Sequence, residues 1–478
     1  MLDYDVVIIG GSTTGRDAAA IAATYHGRVA LLEPCQPLFW QGYHQALLQG
    51  VEGLNQARQR LGFGLYQGIE SGGSQLTMNW KIAQQSAELG MSRLAVHNSL
   101  ESLARLGVDT ISGAGEFVTQ PDFALAVNGR ILRSRYYLLA MGSKPKIPDI
   151  EGLALTGFLT VETLHKLSLI PQKLAIIGGD PSGVELAQFF AQLGSKVTII
   201  VKSSHLLGKE DRHAAYLIQA HLEAEGVTVL TQTEVLQTQV IQGQKWIQAG
   251  KKALEVDEIL VAAGRQPQFY DLNLSAVGVK FNPNYLTLNQ KLQTTNPRIY
   301  GCGDLAGGYP FEHIAAYEAE IALKNIMLLP RFKVNYLGIP WAILTQPQLG
   351  RVGLTEQQAK RYYGDKIYIH KQSLTHLSKA QLLGEISGFY QLICHRNGKI
   401  LGASIISPQA SEMIGIIALA IRQGLNVDAI AQLPQIGLTL SEIHPKVAKG
   451  WQYSYHHKDS WKSDWIETLH QWRRFWSS

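Results

Sequence analysis

Two glycine-rich turns, each set between a β-branched run and a helix, constrain this chain more than any other feature. Tyr4 to Ile9 reads YDVVII, the short apolar run that a buried parallel strand needs. It runs into Gly10-Gly11-Ser12-Thr13-Thr14-Gly15, then an alanine-rich helix over 16–25 and a second apolar run, RVALL over 28–32, ending at Glu33. Gly10 permits the tight turn, and Ser12 stands where the second glycine of a GxGxxG turn belongs. Gly15 lets helix and strand pack closely, and the helix N-terminus faces a pyrophosphate. Glu33 lies 18 residues beyond Gly15, where an acid can accept from a ribose hydroxyl. The pattern returns 168 residues later: KLAII over 173–177, Gly178-Gly179-Asp180-Pro181-Ser182-Gly183, a helix over 184–193 and KVTIIV over 196–201. Two dinucleotide units on one chain point to electron transfer between two nucleotides, usually a flavin and a nicotinamide. The bland alternative is a pair of strand–helix turns with incidental glycines.

Composition narrows the setting. A length of 478 residues predicts about three domains. With 46% hydrophobic and 17% charged residues the chain carries a large core and is not a disordered protein. A net charge of +5 without a long basic run excludes a dedicated nucleic-acid binder. Cys35, Cys302 and Cys394 form neither CxxC nor a metal-type spacing, so no metal site is expected, and a reducing, cytoplasmic setting is. The N-terminal apolar run has no basic segment before it and is too short for a signal peptide or a membrane span.

Further segments carry a specific resemblance. Residues 137–148 read YLLAMGSKPKIP, 259–267 ILVAAGRQP, 297–304 PRIYGCGD and 334–356 VNYLGIPWAILTQPQLGRVGLTE. In this order they resemble the pyridine nucleotide-disulfide oxidoreductase family of flavoproteins, from about residue 3 to residue 445. The resemblance implies an α/β fold with two Rossmann-like domains and an α+β dimerisation domain. It implies an FAD-binding domain over 1–150 and 271–333, an NAD(P)-binding domain over 151–270 and an interface domain over 334–448 that makes a homodimer. FAD would lie on Gly10, Ser12, Gly15, Glu33, Gly142, Gly303 and Asp304, with the segments around Glu33 and Asp304 meeting in space. A nicotinamide dinucleotide would lie on Gly178, Gly183, Lys202, His205, Gly264 and Arg265.

The chain departs from the family where its thiol chemistry resides. The family's CxxxxC pair falls at Gln36 and Gln41, and the lysine beside the flavin at Gln45. Cys35 sits one residue off the first cysteine position, and one sulfur cannot form a disulfide relay. Thr439-Leu440-Ser441-Glu442 match the family's TLSE, but its histidine positions hold Gly437 or Gln435, with His444-Pro445 displaced downstream. No reduction of disulfides, dithiols or mercuric ion is therefore expected. Gln41, Tyr43, Gln45 and Glu442 become the candidates on the flavin face. Phe39, Trp40, Tyr43 and His44 would line a cavity for a quinone or another flat diffusible acceptor.

The second loop also departs. A carboxylate at Asp180, ~4–5 Å from a phosphate charge, would cost about 3–4 kcal/mol at an effective dielectric near 20. Val201 replaces the acid that reads an NAD ribose, and Lys202, His205 and Lys209 favour a 2′-phosphate, hence NADPH over NADH; the alternative is a solvated loop with ordinary surface charges. Over 449–478, Trp461, Trp465, Leu469, Trp472 and Trp476 form one stripe of a helix that Ser460 can cap. The stripe packs on the body or across a dimer, lies on a membrane surface, or meets a protein partner. Two functions remain open: an FAD-dependent NAD(P)H oxidoreductase with a diffusible acceptor, and an FAD-holding regulatory or scaffold protein without turnover.

Overall fold

A computed structural model describes residues 2–34, 40–61, 78–97, 99–120, 122–308, 310–456 and 460–476. The chain forms two compact units, one of residues 1–202 with 233–334 and one of 203–232 with 335–478.

In the first unit β1 (Tyr4–Ile9), α1 (Thr13–Thr24) and β2 (Val29–Glu33) make the first strand–helix–strand unit. Helices α2 (Trp40–Leu61) and α3 (Trp80–His97) follow, then β3 (Asp109–Ser112), β4 (Ser134–Leu139) and the short β5 (Ser143–Pro145). The second nucleotide unit comprises β6 (Leu159–Thr160), β7 (Lys173–Ile177), α4 (Pro181–Gln192), β8 (Lys196–Ile200) and β9 (Glu258–Val261). β10 (Arg265–Pro267), β11 (Ile299–Gly301) and α5 (Glu312–Met327) bring the chain back to the first sheet.

That sheet is parallel throughout, in the order β11-β4-β1-β2-β3. Val6, Val7, Ile8 and Ile9 are fully buried, because a central parallel strand is covered on both faces. Ala18, Ala19 and Ala22 of α1 pack against Val6, Ile8 and Leu31 and against Ala319, Ala322 and Leu323 of α5. Small side chains there let two helices share one sheet face. Four of the five strands of the second sheet run β8-β7-β9-β6, also parallel. In both sheets the strand carrying the glycine turn sits between neighbours on either side, the position at which open α/β sheets bind ligands beyond their carboxyl ends.

The second unit is built on an antiparallel sheet, β12 (Pro340–Ile343), β13 (Gln348–Gly353), β14 (Ile367–Ser373), β15 (Phe389–His395) and β16 (Ile400–Ser407), in the order β12-β13-β16-β15-β14. All eight residues of β16 are buried. Helix α6 (Ile443–His456) packs on this sheet, with Ile443, Val447, Ala448 and Trp451 in its core. The tail forms α7 (Ser460–Trp476), on which Trp465 and Trp472 are exposed. Among the described residues no helix is long and apolar enough to cross a membrane.

The contacts of this unit reach into residues placed by sequence within the 151–270 domain. Arg351 of β13 is buried, with Nη1 3.3 Å from Glu210 and donating to the Lys209 carbonyl at 3.1 Å. Its guanidinium lies 4.1 Å from the centre of the Trp341 ring. Asp211 caps helix Arg212–Ala224 and accepts from Gln391 at 3.2 Å. A buried guanidinium needs a counter-charge, and Glu210 supplies it, fixing segment 203–232 to the sheet. Arg351→Met should therefore destabilise this unit by about 3–5 kcal/mol, because Glu210 is left as a buried charge. The double change Arg351→Met with Glu210→Gln should lose clearly less. Urea unfolding of the three proteins checks this, and equal losses in single and double variants would contradict it.

Candidate functional site

The first loop is built around contacts that only glycine tolerates. Gly10 has φ +140°, and a Cβ there would lie 2.1 Å from the Ala140 carbonyl oxygen. A Cβ on Gly15 would lie 2.0 Å from the Gly10 carbonyl oxygen. Ser12 is the N-cap of α1: its hydroxyl accepts from the Gly15 N–H at 3.4 Å and lies 3.3 Å from the Ala140 carbonyl, to which it donates. At the end of β2, Glu33 is buried and accepts from Arg16 twice, at 2.7 Å from Nε and 3.2 Å from Nη2.

Gly10, Gly142 and Gly303 all lie just beyond the carboxyl ends of β1, β4 and β11, strands of one sheet. Glu33 ends β2 and Asp304 follows β11, three strand spacings apart, or roughly 14 Å. The two acids thus occupy one sheet edge at a separation suited to the two ends of an extended dinucleotide. Gly142 has φ +65°, and among the described residues nothing lies within 4 Å of its Cβ position. Gly303, at φ +68°, donates its N–H to the buried Glu318 at 2.6 Å. The glycine cradle and the two acids fit FAD.

Asp304 joins a polar chain. It accepts a short hydrogen bond from Ser143, which accepts from Arg265 Nε at 2.6 Å. Arg265 Nε also lies 3.6 Å from Asp304, and its Nη2 donates to Glu162 at 2.7 Å. Pairing of β10 with β5, Arg265 opposite Pro145, holds these groups together. Arg265, read from sequence as a nicotinamide-site residue, is engaged with the acid of the flavin motif instead of standing as an unpaired cation.

The second loop repeats the backbone geometry. Gly178 has φ +120°, and its Cβ would lie 2.0 Å from the Ala262 carbonyl oxygen; one on Gly183 would lie 3.0 Å from the Gly178 carbonyl oxygen. Asp180 takes the N-cap position of α4 but makes no side-chain cap bond. Its Oδ2 lies 3.3 Å from where a Cβ on Gly264 would be, so the carboxylate crosses the face of that glycine. Lys202 and Glu234, both exposed, form an ion pair at 2.5 Å. His205 does not lie on the surface: it is buried, with Nδ1 2.7 Å from the Leu206 carbonyl oxygen and its ring edge-on to Tyr216.

Of the flavin-face candidates, Gln45 is exposed on α2, and Tyr43 is buried with its ring edge-on to His165. Gln41 lies in the first turn of α2 with its side chain outside the described residues, as are Cys35, Gln36 and Phe39 entirely. His44 is buried with Nε2 3.6 Å from Glu185 of α4, and burial holds its imidazole down to about 4. Glu442 accepts from the Leu438 N–H at 2.8 Å and lies 3.6 Å from Lys446. His444 is fully buried in the second unit, 3.3 Å from the Tyr390 hydroxyl, its pKa held down to about 4 by desolvation. Cys302 and Cys394 are buried, and desolvation raises both thiols. Among the described residues no three His, Cys, Asp or Glu side chains are grouped to hold a metal.

Arg16, Ser143, Glu162, Glu318 and the His44–Glu185 pair are absent from the sequence reading. Arg16 alone left a signal, as a cation directly after the last glycine of an otherwise alanine-rich helix start.

Two nucleotide-binding sheets, one carrying both flavin motifs, define a flavin- and pyridine nucleotide-dependent oxidoreductase. Residues 4–319 match the family described as pyridine nucleotide-disulphide oxidoreductase, and residues 339–448 match its dimerisation domain. The chain belongs to this family, whose members use FAD and NAD(P)H, and its dimerisation domain supports a homodimer. It is 31% identical to a mercuric reductase of Staphylococcus aureus over 92% of this chain and 81% of that protein. It is 30% identical to a dihydrolipoyl dehydrogenase of Bacillus subtilis, covering 91% and 97%. The solved structure of RclA from Escherichia coli, a HOCl-induced flavoprotein disulfide reductase in complex with Cu(II), superposes with a TM-score of 0.81 at 25% identity, covering 94% of this chain and 99% of that one.

The buried histidines predict a pH dependence. With a folded pKa of about 4 for His444, below the unfolded value of about 6.5, its neutral form favours the fold above pH 6.5. That contribution is lost as pH falls from about 6.5 towards 4, with a slope of about 1.4 kcal/mol per pH unit. His444→Phe should therefore lose about 2 kcal/mol less than the wild type between pH 7 and pH 5. Denaturant titrations at both pH values measure it, and parallel losses would contradict the assignment.

Proposed function

We propose that the protein is an FAD-dependent NAD(P)H oxidoreductase that works without a disulfide relay and passes electrons to a diffusible acceptor such as a quinone. One observation carries the reading: the chain has three cysteines, none in a CxxxxC pair. Of these, Cys302 and Cys394 are buried thiols whose pKa is raised, so neither is a ready thiolate. The relatives named mercuric reductase, dihydrolipoyl dehydrogenase and disulfide reductase lend their chemistry to this chain only as far as the flavin and the nicotinamide.

Bound FAD supplies the two-electron chemistry. Gly10 and Gly15 would let the backbone and the α1 N-terminus hold the pyrophosphate, Glu33 would accept from the adenosine ribose, and Asp304 would hold the ribityl chain. The Glu162–Arg265–Ser143 chain holds Asp304 in place. With glutamines at the cysteine positions, Gln41, Tyr43, Gln45 and Glu442 are the candidates beside the flavin and its acceptor. Lys202 selects the 2′-phosphate of NADPH, and Asp180 weakens pyrophosphate binding at the second loop. The same reading places the protein in the cytoplasm, with the exposed Trp465 and Trp472 of the tail as a surface for a membrane or a partner.

A second reading, an FAD-holding protein without turnover, is favoured by Asp180. Anaerobic titration separates the two: NADPH should bleach the flavin, a soluble quinone should restore it, and glutathione disulfide, lipoamide and mercuric ion should not. Rapid reoxidation by glutathione disulfide would overturn the relay-free reading, and a flavin that NADPH leaves oxidised would favour the second. Asp180→Gly should tighten NADPH binding by about two decades, and Lys202→Ala should weaken NADPH more than NADH. Calorimetry with both cofactors checks this, and unchanged affinities would make Asp180 a neutral turn residue.

A further inference from the structure

The two nucleotide loops of this chain provide an internal comparison. Each has a glycine turn pressed against a carbonyl of the neighbouring strand, Gly10 on Ala140 and Gly178 on Ala262. Each has a buried residue directly after the last glycine, and another 18 positions beyond that glycine. In the second loop these are Val184 and Val201, an apolar pair. In the first loop they are Arg16 and Glu33, 7% and 6% exposed, joined by two hydrogen bonds. The strand–helix–strand unit thus folds without the ion pair. Burying two charges costs desolvation that valines avoid, so packing gives no reason for the pair.

The geometry around Glu33 supplies a reason. Its Cβ, Cγ and Cδ lie 3.0–3.1 Å from the Cβ position of Gly11, so the side chain is laid across the loop. Arg16 meets it from the second turn of α1 in a planar fork, Nε to Oε1 and Nη2 to Oε2. An ionised carboxylate offers about four acceptor positions. The fork engages two of them and fixes the plane of the group, leaving acceptor positions for a ligand hydroxyl.

We propose that Arg16 is the positioning residue for recognition of the adenosine ribose at the first loop: it fixes the carboxylate of Glu33 so that Glu33 accepts from the 2′-hydroxyl of FAD. The inference rests on FAD occupying the first loop. A lysine at position 16 keeps the charge but not the fork, and a glutamine keeps neither.

The test is to titrate apoprotein with FAD and with its 2′-deoxyadenosine analogue, following flavin fluorescence. The wild type should prefer FAD by about tenfold or more, the effect of a hydrogen bond to a charged group. Arg16→Gln should bring the ratio of the two dissociation constants to within about twofold of one, and Arg16→Lys should give an intermediate ratio. A merely structural role would weaken both ligands alike and leave the ratio unchanged, and that result would overturn the proposal. Should Arg16→Gln fail to fold by circular dichroism, Arg16→Lys decides alone: a ratio at least threefold below wild type supports the proposal, and an unchanged ratio overturns it. Wild-type protein that binds FAD without preference would overturn the ribose contact while leaving the FAD site standing. Wild-type protein that binds no FAD would remove the FAD assignment itself.

Discussion

The approach of Gly10 to the Ala140 carbonyl is the contact on which the first unit depends. A Cβ at Gly10 would sit 2.1 Å from that oxygen, so β1 and β4 could not both run their full length into the loop. Because they do, α1 starts directly at the sheet edge, and its N-terminal N–H groups are left for an anion there. The same contact recurs between Gly178 and Ala262, which makes the two nucleotide loops near copies in backbone and leaves their differences to side chains.

Those side chains tie the loops to the rest of their unit. Asp304 is held through Ser143 and Arg265 to Glu162, across the short β5–β10 ribbon. An acid that follows the first sheet and a side chain at the edge of the second therefore share one guanidinium. His44 of α2 and Glu185 of α4 form a further buried contact between the two nucleotide-binding parts of this unit. In the second unit a guanidinium plays the corresponding part, with Arg351 gathering Glu210 and Trp341. Each of the two guanidinium centres is a buried or half-buried charge met by a partner distant in sequence, so each fixes register more than it adds stability.

The second unit shows how far packing overrides positional reading. Its helix Arg212–Ala224 follows β8 directly in sequence, yet Asp211 at its N-cap accepts from Gln391 of the C-terminal sheet and from the N–H of Glu356, the first residue of the helix Glu356–Tyr363. His205, which by position resembles part of a basic cluster, is buried against Tyr216. His444, close in sequence to the family's catalytic histidine, lies within the core beside Tyr390.

The sequence by itself determined the two strand–glycine–helix units, the family and the cofactors, because these rest on local rules: β-branched runs, glycine conformations and an acid at a fixed distance. It also determined that no two of the three cysteines stand in a CxxxxC spacing, since that is a matter of which residues are present. Only the tertiary structure decided that Arg16 holds Glu33, that Arg265 serves Asp304 and Glu162, and that Asp180 crosses Gly264. Arg265 and Glu162 are 103 residues apart, and nothing in a local pattern distinguishes a paired guanidinium from a solvated one. Such pairings follow from which strand ends the sheet brings to a common edge, and that is set by the whole fold.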